Sequence, residues 1–293
     1  MGLQTGAIYT LTGPNGTRAV FNDPADLDFV GFLNADGGIS FGSEVRESAD
    51  SQVERDGGLH GSFYAGRMPI VLQGWIPYDE PYSIVNDRID RFYAATNALR
   101  ADAVLRWTED GSPERRLLLR RQQTPRVGGR LPKTFQVGLV SAAHVAESAA
   151  LQQQVIVAGA TGYLGVASPM KSPLASIIAG GGQQFVVNQG TELAYPILTI
   201  DGPITNPRIL NNTTGEELRL TYTLAGGEYL VIDMRQRTVV LNGNPAASRY
   251  SAVEFPASRW WGLIDGNNDI RLNAAAAGGG AQCTVAWRHA WGY

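Results

Sequence analysis

The sequence predicts two domains of mainly β structure. Its 293 residues suffice for one large or two medium domains, and 35 glycines and 15 prolines punctuate short runs rich in Val, Ile, Thr and Tyr. That is the composition of an all-β protein with many turns. One stretch has helical period. After it, the second half carries about nine strand-like runs roughly ten residues apart with no helical pattern between them, which indicates an antiparallel sandwich or jelly roll.

In the first half, "AIYTL", "LDFVGFL", "GGISFG", "GSFY" and "MPIVLQGWI" are β-type runs separated by Gly or Asp turns. The period then changes. From Pro81 to Leu99, Ile84, Val85, Ile89, Phe92, Tyr93, Thr96 and Leu99 fall on one helical face, with Asp79 or Ser83 as the expected cap. Strands are expected again at "AVLRW", "RRLLLRR" and "TFQVGLVSA".

A Gly/Ala/Pro-rich connector over 147–184 divides the first domain, 1–146, from the second, 185–293. The second domain is expected to hold strands at "FVVNQG", "YPILTID", "NPRILNN", "ELRLTYTL", "EYLVIDM", "RTVVLNG", "WWGLI", "DIRLNA" and "CTVAWRHAW", with a hairpin turning near Arg235 to Arg237.

Net charge is only −3, but it is unevenly spread. Residues 1–56 hold nine acids, Asp23, Asp26 and Asp28 among them, against three arginines, a net of −6; residues 114–133 hold six arginines and Lys133 against Glu114, a net of +6. Opposed patches suit head-to-tail contact between copies, with Arg115, Arg116, Arg120 and Arg121 facing Asp23, Asp26 and Asp28. Neighbouring strands that neutralise each other within one subunit would read the same way.

The cofactor and catalytic patterns fail one by one. "VIVAGATGYLG", 155–165, has the glycines of a dinucleotide turn, but Pro169 and Pro173 forbid the helix that must follow, and no acid stands between Lys171 and Gly190 to hold a ribose. The run reads as a strand start and a junction in chain routing. Ser40 in "GISFG" fits a nucleophile-elbow spacing, yet Ile39 and Phe41 on one face suggest a plain strand.

Asp265, Asn267 and Asp269 occupy the first, third and fifth places of a calcium loop that has Ile270 and Ala276 where Gly and Glu belong. A glycosidase pair would have to come from Glu216, Glu217, Glu228, Asp233 and Glu254, which sit in turns or on solvated faces. Cys283 is the single cysteine and reads as a buried hydrophobe, and His60, His144 and His289 are scattered, so neither a metal site nor a cofactor is expected. No apolar run approaches the roughly 18 residues needed to span a bilayer, and the amino terminus lacks the pattern of a secretion signal.

The most specific pattern runs from Asn206 to Leu263. "NPRILNNTTGEELRLTYTLAGGEYLVIDMRQRTVVLNG" followed by "RWWGLIDGNNDIRL" resembles the carboxy-terminal domain of distal tail proteins from long, non-contractile-tailed bacteriophages. Pro207, Ile209, Asn211, Thr213, Thr214, Gly215, Ile232, Asp233, Asn242, Gly243, Trp261, Leu263, Gly266 and Asn268 carry the likeness, and "RDGGLHGSFYAGRMPIVLQGWI" with the helix extends it more weakly into the first half.

The resemblance implies a β-barrel-like amino-terminal domain that forms a hexameric ring at the distal end of the tail tube, and a galectin- or carbohydrate-module-like sandwich outside it. The implied protein is structural, with no catalytic role. Its partners are copies of itself, the tail tube protein, and the hub or receptor-binding proteins of the tail tip, and its place is the virion after synthesis in the host cytoplasm. A second expectation is a module that recognises a host cell-wall carbohydrate, with Trp260 and Trp261 stacking on sugar faces.

Overall fold

The computed structural model describes residues 7–35, 38–42, 45–47, 50–51, 58–59, 63–79, 81–108, 111–160 and 182–293. The chain divides into two compact units, 1–149 with 291–293, and 150–290.

Seven strands of the first unit close into a barrel. Their order is Lys133–Ser141, Met68–Ile76, Phe29–Leu33, Arg18–Phe21, Tyr9–Thr12, Ala103–Trp107 and Arg115–Arg121, and Leu119 to Arg121 pair back onto Leu139 to Ser141. Neighbours run antiparallel except Arg18–Phe21 and Phe29–Leu33, which are parallel.

Closure follows from strict alternation. Met68, Ile70, Leu72, Gly74 and Ile76 of "MPIVLQGWI" are buried and the alternate residues are not, so one face of this strand fills the barrel. Leu11, Phe21, Leu105, Leu119, Phe135 and Leu139 complete the interior. The "GISFG" run is the strand Ile39–Phe41, paired with Met68–Ile76, so Ser40 sits on a ladder and not at a strand-to-helix elbow.

The helix spans Ser83–Ala95, shorter than its expected 81–100, and buries Val85, Phe92 and Ala95. Phe92 packs on Phe135 with ring centroids 4.9 Å apart, which seats the helix on the barrel core. Tyr93 and Leu99, expected on the same face, are exposed. The expected cap is corrected: Tyr82 takes the N-cap without a side-chain bond. Asp79 instead pairs with Arg88 at 2.5 Å.

The carboxy-terminal residues return to this unit, where strand Ala290–Gly292 pairs with Val145–Ser148. Tyr293 stacks on Phe41 at 4.8 Å and meets Trp107 at 5.8 Å. The Arg115 guanidinium lies 4.7 Å over the Trp291 ring and donates to Tyr293 Oη.

The second unit is a β-sandwich. One sheet has the order Gln152–Val157, Gln282–Trp287, Ile197–Asp201, Tyr229–Asp233 and Thr238–Leu241; the other joins Glu216–Arg219, Arg208–Asn211 and Gly266–Ala274, with Gly159–Ala160 and Gly182–Asn188 both on the last of these. Each sheet buries one face: Ile156, Leu198, Ile200, Leu230, Ile232, Val239, Cys283 and Val285 from the first, and Val186, Ile209, Leu218, Ile270 and Leu272 from the second. The hairpin of residues 229–241 turns through Arg237 at a φ of 57°.

Two expectations change. Val155 to Val157, placed in the connector by composition, belong to an edge strand of the sandwich, because Gln-Gln-Gln-Val-Ile-Val lies in register with Gln282–Trp287. Gly162, Gly165, Pro169 and Pro173 lie outside the described residues.

"WWGLI" is not a strand. It contributes one bridge, Ala194 to Leu263, and side chains satisfy much of the backbone that follows. Asn268 accepts from the Ile264 N–H at 3.0 Å and donates to the Ile264 and Gly266 carbonyls at 2.9 and 3.1 Å.

Candidate functional site

The residues that carry the tail-protein resemblance are turn builders. Asn211 is fully buried. Its Oδ1 accepts from the N–H groups of Thr213 at 3.0 Å and Thr214 at 3.4 Å, and its Nδ2 reaches Asn268 Oδ1 at 3.4 Å. Thr213 Oγ1 takes the Asp269 N–H at 2.9 Å, joining the "NNTTG" and "GNND" turns. Gly215, Asn242 and Gly243 have φ of 74°, 50° and 66°, the left-handed region that Gly and Asn enter at least cost.

Asn188, outside the resemblance pattern, is used as heavily as Asn211 and Asn268. Also fully buried, it donates to the Glu192 and Leu263 carbonyls at 2.8 and 3.1 Å and accepts from the Gly190 and Ala290 N–H groups at 3.0 and 3.3 Å.

Beside it, His289 is 6% exposed and its Nδ1 accepts from the Gln189 N–H at 3.1 Å. Burial holds the imidazole below its ordinary pKa of 6.5. The unfolded chain therefore protonates first as pH falls, and stability declines from about pH 6.5 until the folded imidazole has also taken its proton. Denaturant titrations at pH 8 and pH 5 should show this loss in the native chain, and His289→Gln should reduce it.

The candidate chemistry does not assemble. Glu217 pairs with Arg219 and, at 2.6 Å, with Arg208. The Arg219 hydrogen bond, ahead of opposing desolvation, holds its carboxyl below the ordinary value, the reverse of what a general acid needs. Glu216 lies on the sheet beside it, whereas Asp233 belongs to the opposite sheet and caps the turn N–H groups of Arg235 and Gln236 at 2.9 and 2.8 Å. Glu228 accepts from the Ala225 N–H, and Glu254 accepts from Thr221 Oγ1.

Burial pushes the Cys283 thiol up to about 12, with Asp201 adding to it, so it is no nucleophile at neutral pH. Among the described residues no His, Cys, Asp and Glu group is placed to hold a metal. Asp269 Oδ2 is occupied by Asn212 and Gln183 at 2.9 and 2.8 Å, which makes the calcium-like spacing a turn network.

The opposed charges are largely used inside the subunit, though not on each other. Arg116 pairs with Glu147 at 3.1 Å and Arg120 with Asp102 at 2.6 Å. Asp26 and Asp28 pair with Arg18 at 3.5 and 3.0 Å, and Asp28 also with Arg91. Arg115 is buried against the carboxy-terminal aromatics. Arg121 has no ion pair among the described residues, while Asp23 Oδ1 caps the Ala25 N–H at 3.1 Å.

Sequence reasoning missed two apolar centres. Leu27, 96% exposed, stands between Asp26 and Asp28, and Leu118, 44% exposed, shares the outer face of its strand with Arg116 and Arg120. A leucine bracketed by like charges was the available signal.

Of the two tryptophans expected to meet glycan, Trp261 is corrected: it is 1% exposed and part of the core. Trp260 is partly exposed and lies against Tyr250, with ring centroids 6.1 Å apart and planes at 12°.

Residues 189–291 match the family model described as the siphovirus-type tail component, C-terminal domain. The carboxy-terminal third of the chain is thus similar to a siphovirus tail-component domain. The resemblance that Asn206 to Leu263 suggested is borne out by this match. No curated protein matches the chain.

Among solved structures, the SPP1 phage protein described as "Dit (gp 19.1) Protein, a Paradigm of Hub Adsorption Apparatus in Gram-positive Infecting Phages" has a TM-score of 0.56 at 11% identity, covering 85% of this chain and 88% of that one. The phage P2 baseplate in its activated conformation with Ca has a TM-score of 0.38 at 12% identity, covering 96% and 97%. The first likeness gives the fold, a barrel with additional antiparallel sheets. The tail-component domain is the part of this chain that the family model covers.

Proposed function

We propose that the protein is a structural adaptor of the phage tail tip in the virion, a homo-hexameric ring that joins the tail tube to the hub and receptor-binding proteins and catalyses no reaction. The tail-component match over 189–291 carries this reading, and the SPP1 fold likeness over most of the chain supports it.

The closed barrel contributes a physical reason for the contact. Closure pairs both edges of each of the seven barrel strands, which favours contact between copies through outward side chains. Leu27 within its acidic rim and Leu118 within its basic rim are complementary, and head-to-tail repetition of one such contact closes a ring. Because most of these charges are already paired, leucine burial supplies the affinity and the rims supply orientation.

Mass photometry and negative-stain images of the purified chain should show six-fold rings, and antibodies should label tail tips. Leu118→Asp or Leu27→Glu should disperse the rings while leaving the fold intact. A chain that stays monomeric at high concentration, without rings or tail-tip labelling, would overturn the proposal. Contact with a host cell-wall carbohydrate is a second reading compatible with the first, favoured by the parallel rings of exposed Tyr250 and partly exposed Trp260.

A further inference from the structure

We propose that Tyr250, Phe255 and Trp260 form a binding platform for a pyranose-containing glycan on the surface of the second unit. The inference rests on the carbohydrate reading and on no part of the ring. The three aromatics recur at intervals of five residues in "YSAVEFPASRW", a spacing that neither a strand nor a helix uses to bury one face.

Folding brings them together at the surface instead. Tyr250 and Phe255 are 47% and 51% exposed with ring centroids 5.9 Å apart, and the Trp260 ring lies nearly parallel to that of Tyr250.

The segment that presents them is held before any ligand arrives. Buried Val253 bridges to Leu220. Buried Ser258 accepts from the Arg219 N–H at 3.0 Å and donates to the Arg219 carbonyl at 3.2 Å, and the N–H groups of Thr221, Glu254 and Arg259 bond to Ala252, Arg219 and Glu217 at 2.8, 3.0 and 2.8 Å. Such anchoring lowers the ordering cost of binding.

The chemistry of the surface matches a sugar. Aromatic faces attract the polarised C–H groups on one side of a pyranose, while its hydroxyls need polar partners at the edge. The phenol of Tyr250 and the indole N–H of Trp260 have no partner among the described residues, and exposed Glu254 and Arg259 adjoin Phe255 and Trp260 in sequence. Arg259 Nη1 is fixed by the Pro256 and Ser258 carbonyls at 2.6 and 3.0 Å, which sets the guanidinium in place.

Size points the same way. With aromatic side chains of about 150–250 Å² each, these three partly exposed rings offer on the order of 250 Å². A stable protein interface takes about 800 Å² per partner, so the platform suits one or two sugar rings better than a second protein.

The test is to probe the full chain on an array of purified bacterial cell-wall polysaccharides and their oligosaccharide fragments, then to titrate the best oligosaccharide by tryptophan fluorescence. The native chain should bind. Trp260→Ala and Tyr250→Ala should each weaken binding about tenfold, Phe255→Ala several-fold, and Tyr250→Phe less than Tyr250→Ala. Unchanged melting temperatures would assign these losses to the platform.

Absence of binding by the native chain to every immobilised glycan would overturn the inference. So would binding that survives Trp260→Ala and Tyr250→Ala together. The same variants should still form rings, which keeps this outcome separate from that of the adaptor proposal.

Discussion

Asn188→Ala is expected to cost the second unit about 4 kcal/mol or more in denaturant unfolding. The side chain satisfies four backbone groups, the carbonyls of Glu192 and Leu263 and the N–H groups of Gly190 and Ala290. Each buried polar group left unpaired costs about 1–3 kcal/mol, and alanine abandons all four in a place with no room for relaxation: a Cβ on Gly190 would already overlap the Ala290 carbonyl.

Asn188→Asp should not rescue. It keeps the acceptor but turns two donors into an oxygen aimed at two carbonyl oxygens, adding repulsion to the loss. A loss below about 1 kcal/mol for both variants would mean that the network is not a keystone of the fold.

Gly74→Ala should damage the barrel in the same way. In the long strand Met68–Ile76, a Cβ at this position would overlap the Phe32 carbonyl oxygen and stand 2.7 Å from Phe135 Cζ. The backbone of Phe29–Leu33 can approach only because the side chain is missing, and forcing the strands apart opens the ladder and the core together. We expect a loss of about 3 kcal/mol or more in thermal unfolding.

Gly128→Ala is the matched control. It lies at the strand edge with no atom within 4 Å of an added Cβ, so it should change stability by about 0.5 kcal/mol or less. Equal effects of the two substitutions would remove the argument from close approach.

Periodicity made much of this fold readable. Met68–Ile76 and Gly266–Ala274 alternate buried and unburied residues along their length, and the hairpin at Arg237 announced itself by two apolar runs around a polar turn. What periodicity cannot express is which distant strands meet. The pairing of Leu119 to Arg121 with Leu139 to Ser141 closes the barrel, yet nothing local distinguishes a closed sheet from an open one.

Side-chain substitution for a ladder misleads in the opposite direction. "WWGLI" has strand composition, but Asn211 and Asn268 provide the bonds that a neighbouring strand would have given, so its apolar residues mark burial without regular structure. Of the candidate contacts, Trp260 was legible as an aromatic in a polar setting. Trp261 shared the same sequence signal and differs only in which side of the loop it faces.

The charge blocks were legible as composition and misleading as geometry. Their members pair with Arg18 and Asp102, 10 and 18 residues away, and with Glu147 and Arg91, 31 and 63 residues away, so the basic block never needs the acidic one.

The return of residues 291–293 to the first unit has a mechanical consequence. The second unit is spliced into the first at two places, after Ala149 and before Trp291, so traction applied to it divides between two covalent leads. A terminal appendage would load a single peptide linkage. Here the aromatic clasp of Tyr293 on Phe41 and Trp107 takes part of any pull that the Ala149 side does not.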